Sequence, residues 1–295
     1  MNPKFSYGGQ AVIEGVMMRG PATRAVAVRR PDSSIVIDEQ PVKSITNRYK
    51  ILKWPLLRGV IVLVESLIMG MQALSYSANQ AMEEEEEDLT SRDIIITMII
   101  AFSLAIFLFV VIPTGATHYL TRWVSGSVAQ NVVEGFIRIG VFLIYVVSIS
   151  FMADIRRVFQ YHGAEHRVIN AYEAGEELSV ENVQRYSSFH PRCGTSFLLI
   201  VMVVSILVFS LLGEQVLWWR ILSRILLLPV VAGLSYELLK LSAKYEGSML
   251  FKAIIAPGKW LQGLTTREPD NSQVEVAISA LGAVLKDNRG EVNVR

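Results

Sequence analysis

The sequence predicts an α-helical integral membrane protein. Four transmembrane helices are expected, plus an interfacial or re-entrant helix, a small β-rich cytoplasmic N-terminal unit and a helical C-terminal tail. Three observations predict this. Hydrophobic residues make up 52% of the 295 and charged residues only 19%, with a mean hydropathy of +0.39; a soluble domain carries about 25% charged residues. The apolar excess falls in runs of about 20 residues, the length a helix needs to cross roughly 30 Å of hydrocarbon. Lysine and arginine are unequally divided among the segments that join those runs. The net charge of +1 provides no basic field, so nucleic acid is not an expected partner.

Residues 1–50 read as the β-rich unit. Ala25–Arg29 and Ser34–Asp38 are short β-type runs, and Pro31-Asp32-Ser33 between them is turn chemistry, so a hairpin is expected. These residues contain no apolar stretch of the kind that marks a cleavable signal peptide. Residues 51–82 form the next unit. Their apolar stretch, 55–78, is interrupted by Arg58 and Glu65, which are seven residues apart and so near one helical face. That pattern fits a helix in the interface better than one across the membrane. An acidic linker, 83–93, follows and includes Glu83 to Asp88.

Two transmembrane hairpins are expected at 94–151 and 196–238, with spans at 94–112, 131–151, 196–212 and 219–238. Pro113-Thr114-Gly115 is read as the end of the first span and Gly213 as the end of the third. Trp218 and Trp219 stand where an aromatic belt belongs. Between the hairpins lies a His/Cys loop, 152–195, with Arg156, Arg157, Arg167, Arg185 and Arg192; the loop 113–130 carries only Arg122. The positive-inside rule then puts the 152–195 loop and both termini in the cytoplasm of a bacterial cell, making the chain a multi-pass membrane protein. In the tail, 239–295, Pro257-Gly258 is read as a break. Val274, Ala277, Ile278, Leu281, Val284 and Leu285 mark an amphipathic helix behind a polar cap.

Three of the four histidines and the lone cysteine fall between residues 162 and 193. His162 and His166 are four apart, so on a helix they share a face with Glu165 beside them. His162-Gly163-Ala164-Glu165-His166 has the H-x-x-E-H spacing of inverted zinc peptidases, in which the glutamate is the general base. His190 and Cys193 could bring further ligands, and imidazole with thiolate suits a divalent metal such as Zn²⁺. Glu173 lies about 10 Å along the axis from His166, too far for the same ion. The plainer reading gives the histidines backbone hydrogen bonds and makes Cys193 a packed thiol. With one cysteine no intramolecular disulfide forms. Four protein ligands would make the site closed and structural, and an open position would make it catalytic. Elsewhere, Glu134 and Arg138 read as a helix-stabilising pair, and Arg224 as a residue that snorkels outward.

Gly8 to Pro21 (GGQAVIEGVMMRGP), Tyr161 to His166 (YHGAEH) and Phe189 to Phe197 (FHPRCGTSF) resemble the YqhQ family, as do Pro257 to Gln262 and Thr265 to Pro269. This is a bacterial membrane family of unknown function, described as predicted metal-dependent enzymes. The likeness covers almost the whole chain. It implies a membrane protein with a metal at the His/Cys cluster and adds no substrate. Arg167 stands where lysine is expected, which keeps the charge.

The first functional reading is a metalloprotein facing the cytoplasm, with His162, His166, His190 and Cys193 as metal ligands and Glu165 as the catalytic group of a metal-dependent hydrolase. The second is a non-catalytic scaffold or assembly factor, with a structural metal or none. A transporter is disfavoured because no chain of intramembrane carboxylates is visible. The expected partners are the lipid bilayer and a second copy or another membrane protein.

Overall fold

The computed structural model describes residues 7–42, 44–45, 50–82, 90–120, 122–190, 193–213, 215–244 and 249–292. The acidic block Glu83–Asp88 and Arg192 lie outside these residues.

The N-terminal unit is a four-stranded antiparallel meander, β1 (Gly8–Val12), β2 (Gly15–Arg19), β3 (Thr23–Arg29) and β4 (Ile35–Pro41), in sequence order. The expected hairpin is β3–β4, closed by the Arg30–Ser34 turn. Both sheet faces are buried, which explains why the central strands are apolar throughout. Successive side chains of a strand point to opposite faces. Val16, Met18, Ala25 and Ala27 enter one core, and Met17, Val26 and Val28 enter another.

The second of these cores is closed by α1 (Leu57–Ala81) through Ala73 and Tyr76. Polar contacts tie the same helix to the strands. Ile13 N–H donates to Ser77 Oγ at 3.2 Å, and Arg24 reaches Gln72 Oε1 at 2.7 Å and the Met69 carbonyl at 3.2 Å. At its start α1 meets another helix instead, where Arg58 pairs with Glu237 at 2.7 Å.

The apolar part begins with α2 (Ser91–Ile106), opened by a Thr90/Asp93 capping box. A π turn at Phe107–Val111 leads without a break into α3 (Ile112–Leu120). The first apolar helix therefore runs to Leu120, past Pro113-Thr114-Gly115. Proline lacks the N–H that would serve the carbonyl four residues back, and that carbonyl, Phe109 O, accepts Arg138 Nε at 2.8 Å instead. Then come α4 (Ser127–Ile149), α5 (Ala153–Ala174), α6 (Val180–Gln184), α7 (Gly194–Ser210), α8 (Leu217–Leu226) and α9 (Leu228–Lys244). The segment 152–195, expected as a loop, is thus largely the helices α5 and α6. Last are α10 (Met249–Thr265) and α11 (Asn271–Val292). Pro257-Gly258 does not break the chain but lies inside α10. A Cβ on Gly258 would stand 2.5 Å from Ser196 Oγ, so glycine lets α10 lie close on α7.

Among the described residues, Leu57–Ala81, Arg92–Leu120 and Ser127–Ile149 are long and apolar enough to cross a membrane. The pair α8–α9, bent by 46°, adds a fourth if it is one span, and α7 is a shorter apolar helix. The first core joins the sheet to α5 and α11, with Tyr161, Ala164 and Val168 meeting Val274, Ala277, Leu281 and Val284. The chain is mostly helical, with one small sheet held between α1 and the pair α5–α11.

Candidate metal centre

Helix α5 carries the site because its faces are divided between two tasks. Tyr161, Ala164, Val168 and Ile169 fill the core, while His162, Glu165 and His166 turn toward β1 and the start of α7. Gly163 is the residue that local propensity opposes, at about 1 kcal/mol relative to Ala. A Cβ there would stand 2.1 Å from the Arg267 carbonyl, so glycine is required for α5 to meet the chain after α10. Arg267 N–H in turn donates to Phe159 O at 2.9 Å.

That approach fixes His162. Its Nδ1 lies 2.8 Å from Thr265 O, so the proton sits on Nδ1 and Nε2 carries the lone pair. His166 is set the same way, with Nδ1 2.7 Å from Ser188 O. A carbonyl on Nδ1 is the arrangement that orients metal-binding histidines. His162 Nε2 lies 3.3 Å from Cys193 Sγ. Cys193 caps α7, its sulfur accepting from Thr195 N at 3.5 Å. One ligand atom each from His162, His166 and Cys193 lie within 4.8 Å of one another. Ligands on a tetrahedral zinc are separated by roughly 3.3–3.7 Å, so the three need close by little more than about 1 Å.

His190, expected in the same set, stands one ring away. Its ring centroid is 5.8 Å from that of His166, and its Nε2 is 3.6 Å from Glu173. Gln262 holds the His190 backbone from both sides, accepting from its N–H at 3.0 Å and donating to its carbonyl at 2.9 Å. Glu173, too distant along the helix for the His166 ion, is a neighbour of His190.

Glu165 is 5% exposed. Burial raises its pKa to about 6, opposed by the nearby His162 imidazole and by the Gly9 N–H that donates to it. Arg167, two residues further along α5, does not pair with Glu165 and is occupied by Glu268, Gln184 and Ser188. A cavity of about 390 Å³ is lined by His162, Glu165, His166, His190, Cys193 and Thr195, among others. Thr265, Ser188 and Gln262, which orient the three histidines, were not singled out by residue type; the only signal for Thr265 and Gln262 was that both lie in strings shared with the family.

Fold and site together define a class: a helical protein of membrane type with a small sheet unit and a largely buried His/His/Cys grouping where the two meet. Residues 54–287 match the family described as "Protein of unknown function (DUF1385)". The chain belongs to this family. It is similar to the uncharacterized protein YqhQ of Bacillus subtilis (strain 168), at 36% identity over 294 residues, 95% of this chain and 92% of that one. No solved structure matches.

Proposed function

We propose that this protein is a metal-dependent hydrolase of the bacterial cell membrane, with Zn²⁺ held by His162 Nε2, His166 Nε2 and Cys193 Sγ. The observation that carries the reading is the paired backbone carbonyls, Thr265 O and Ser188 O, which leave both lone pairs on Nε2, beside the sulfur. Zinc, when bound, would supply Lewis acidity and lower the pKa of water in the open position. Glu165, a buried carboxylate on the same cavity with its pKa lifted toward neutrality, takes the proton of the attacking water and returns it to the leaving group. Four spans cross the bilayer: α2–α3, α4, α7 and α8–α9. Helix α1 lies in the cytoplasmic interface, with Leu57, Val64, Ile68 and Leu74 exposed along it and the sheet on its other side. Both termini are cytoplasmic.

The second reading, a structural metal in a scaffold, has one observation in its favour. His190 stands beside His166 on the same cavity, ring centroids 5.8 Å apart, and offers a fourth imidazole. Metal analysis of the detergent-purified full chain separates the two. About one zinc per chain is expected for the wild type and for Glu165→Gln, and less than a tenth of that for His166→Ala. An open site keeps its zinc in His190→Ala, whereas a closed four-ligand site loses it. Wild-type protein without zinc overturns the hydrolase and the structural metal alike and leaves the scaffold without a metal.

A further inference from the structure

A second buried polar site lies at the opposite end of the apolar bundle. Glu134 on α4, 1% exposed, is surrounded by Arg138, Arg220 and Arg224. Arg138 Nη2 donates to Glu134 Oε1 at 2.7 Å, Arg220 Nε to Oε2 at 3.0 Å and Arg224 Nε to Oε1 at 3.1 Å. The residues are neither a lone helix pair nor snorkelling. Arg224 is 1% exposed and also reaches Asn131 and Gln215. Among the described residues one carboxylate therefore faces three guanidinium groups, a surplus of two positive charges. Burying charge in a span is expensive unless it is paired. The surplus calls for an anion.

The structure also provides room for a hydrocarbon chain. A cavity of about 350 Å³, within the range that holds small ligands, has Arg138 and Arg224 on its wall. The rest of the lining is apolar and includes Phe109, Phe142, Val201 and Phe209. Phe209 lies under both guanidinium groups, 5.3 Å and 4.8 Å from their central carbons. Tyr145, on the same wall, is 38% exposed. The π turn supplies Phe109, and Arg138 is anchored on its free carbonyl; π turns inside helices frequently mark functional sites. Glu134 stands fifteen residues, or about 22 Å, from the end of α4 that leads into the sheet unit.

We propose that this cavity binds an anionic phospholipid, its phosphate on Arg138 and the adjacent Arg220 and part of an acyl chain among Phe109, Phe142, Val201 and Phe209. A guanidinium presents parallel N–H donors that match a phosphate; those of Arg224 are taken by Glu134, Asn131, Gln215 and Ser223, while Arg138 and Arg220 have more N–H groups than partners among the described residues. The inference rests on reading α2–α3, α4, α7 and α8–α9 as membrane spans. Retention of the protein in alkali-washed membranes tests that reading separately.

The test uses the full chain in detergent, stripped of lipid and titrated with phosphatidylglycerol, phosphatidylcholine or inorganic phosphate while thermal stability is followed. Phosphatidylglycerol is expected to raise Tm at concentrations at least tenfold below those at which phosphatidylcholine does. Arg220→Gln should weaken that response about tenfold. Because this variant removes a buried charge and could fail to fold, Val201→Phe provides a second arm. It keeps every charge, fills the cavity and should blunt the phosphatidylglycerol response to the same extent. An equal response to the two lipids, inorganic phosphate acting as well as the lipid, or an undiminished response in Val201→Phe overturns the proposal.

Discussion

At Gly163 the sequence signal and the structure conflict, and the site explains the conflict. A helix interior disfavours glycine, yet the next-door segment passes so close that a methyl group would overlap the Arg267 carbonyl. Gly163→Ala should raise intrinsic helix propensity and still lose stability, by about 1–3 kcal/mol for an overpacked contact. It should also shift Thr265 away from His162, and thermal unfolding with zinc content measured in parallel checks both effects. Spacing alone found His162, Glu165 and His166, because i, i+3 and i, i+4 neighbours are fixed by the helix. It could not place His190, whose position depends on Gln262, 72 residues further along the chain. The arginine cluster was illegible for the same reason. Glu134 and Arg138 are visible as a local pair, but Arg220 and Arg224 reach them across about 90 residues.

Among the elements, α11 was the most readable and α1 the most ambiguous. The apolar positions of α11 recur at helical spacing, and Val274, Ala277, Leu281 and Val284 are fully buried against the sheet and α5. Its start is a reciprocal cap, with Gln273 N–H donating to Asp270 Oδ1 at 2.9 Å and Asp270 N–H to Gln273 Oε1 at 3.0 Å. Burial pushes the Asp270 carboxyl upward, but hydrogen bonds from Ser272 and Gln273 and the Arg157 charge outweigh it and hold the pKa below the usual value. A depressed carboxylate stabilises the folded state above its unfolded pKa of about 4, and that contribution is lost as pH falls through the folded value. Asp270→Ala should therefore cost about 1 kcal/mol at neutral pH. The gap from wild type should narrow below about pH 4, as paired unfolding curves at the two pH values would record. Helix α1 satisfies the length and composition of a span, and Arg58, Glu65 and the contacts of its middle and C-terminal part with the sheet speak against one. Fluorophores placed along it should be quenched by lipid-borne quenchers at 64 and 68 and shielded at 73 and 77; quenching on every face would make α1 a span. The two prolines misled in the opposite direction. Pro113 and Pro257 look like helix ends, yet Arg138 takes the carbonyl freed by the first, and close packing of α10 on α7 holds the second in place.

On the scale of the whole molecule, the candidate ligands come from two bodies that the chain connects only indirectly. His162 and His166 belong to α5, whose other face is built into the core of the sheet unit. Cys193 caps α7, which packs among the apolar helices. An ion shared by the three would cross-link the sheet unit to the bundle at their junction, adding to the Gln262 clamp on His190 and the Arg58–Glu237 pair. Ligand binding confined to the folded state stabilises it by about 2.7 kcal/mol at a hundredfold excess over Kd. For a chain of this size each kcal/mol moves Tm by roughly 2–4 °C. Chelation should therefore lower Tm by about 5–10 °C, and added zinc should restore it. His166→Ala and Cys193→Ser should already melt at the chelated temperature and respond to neither treatment. Glu165→Gln, which leaves all three ligand atoms in place, should keep the full zinc-dependent shift. A chelator shift that survives in His166→Ala would place the ion elsewhere and remove the junction from the argument.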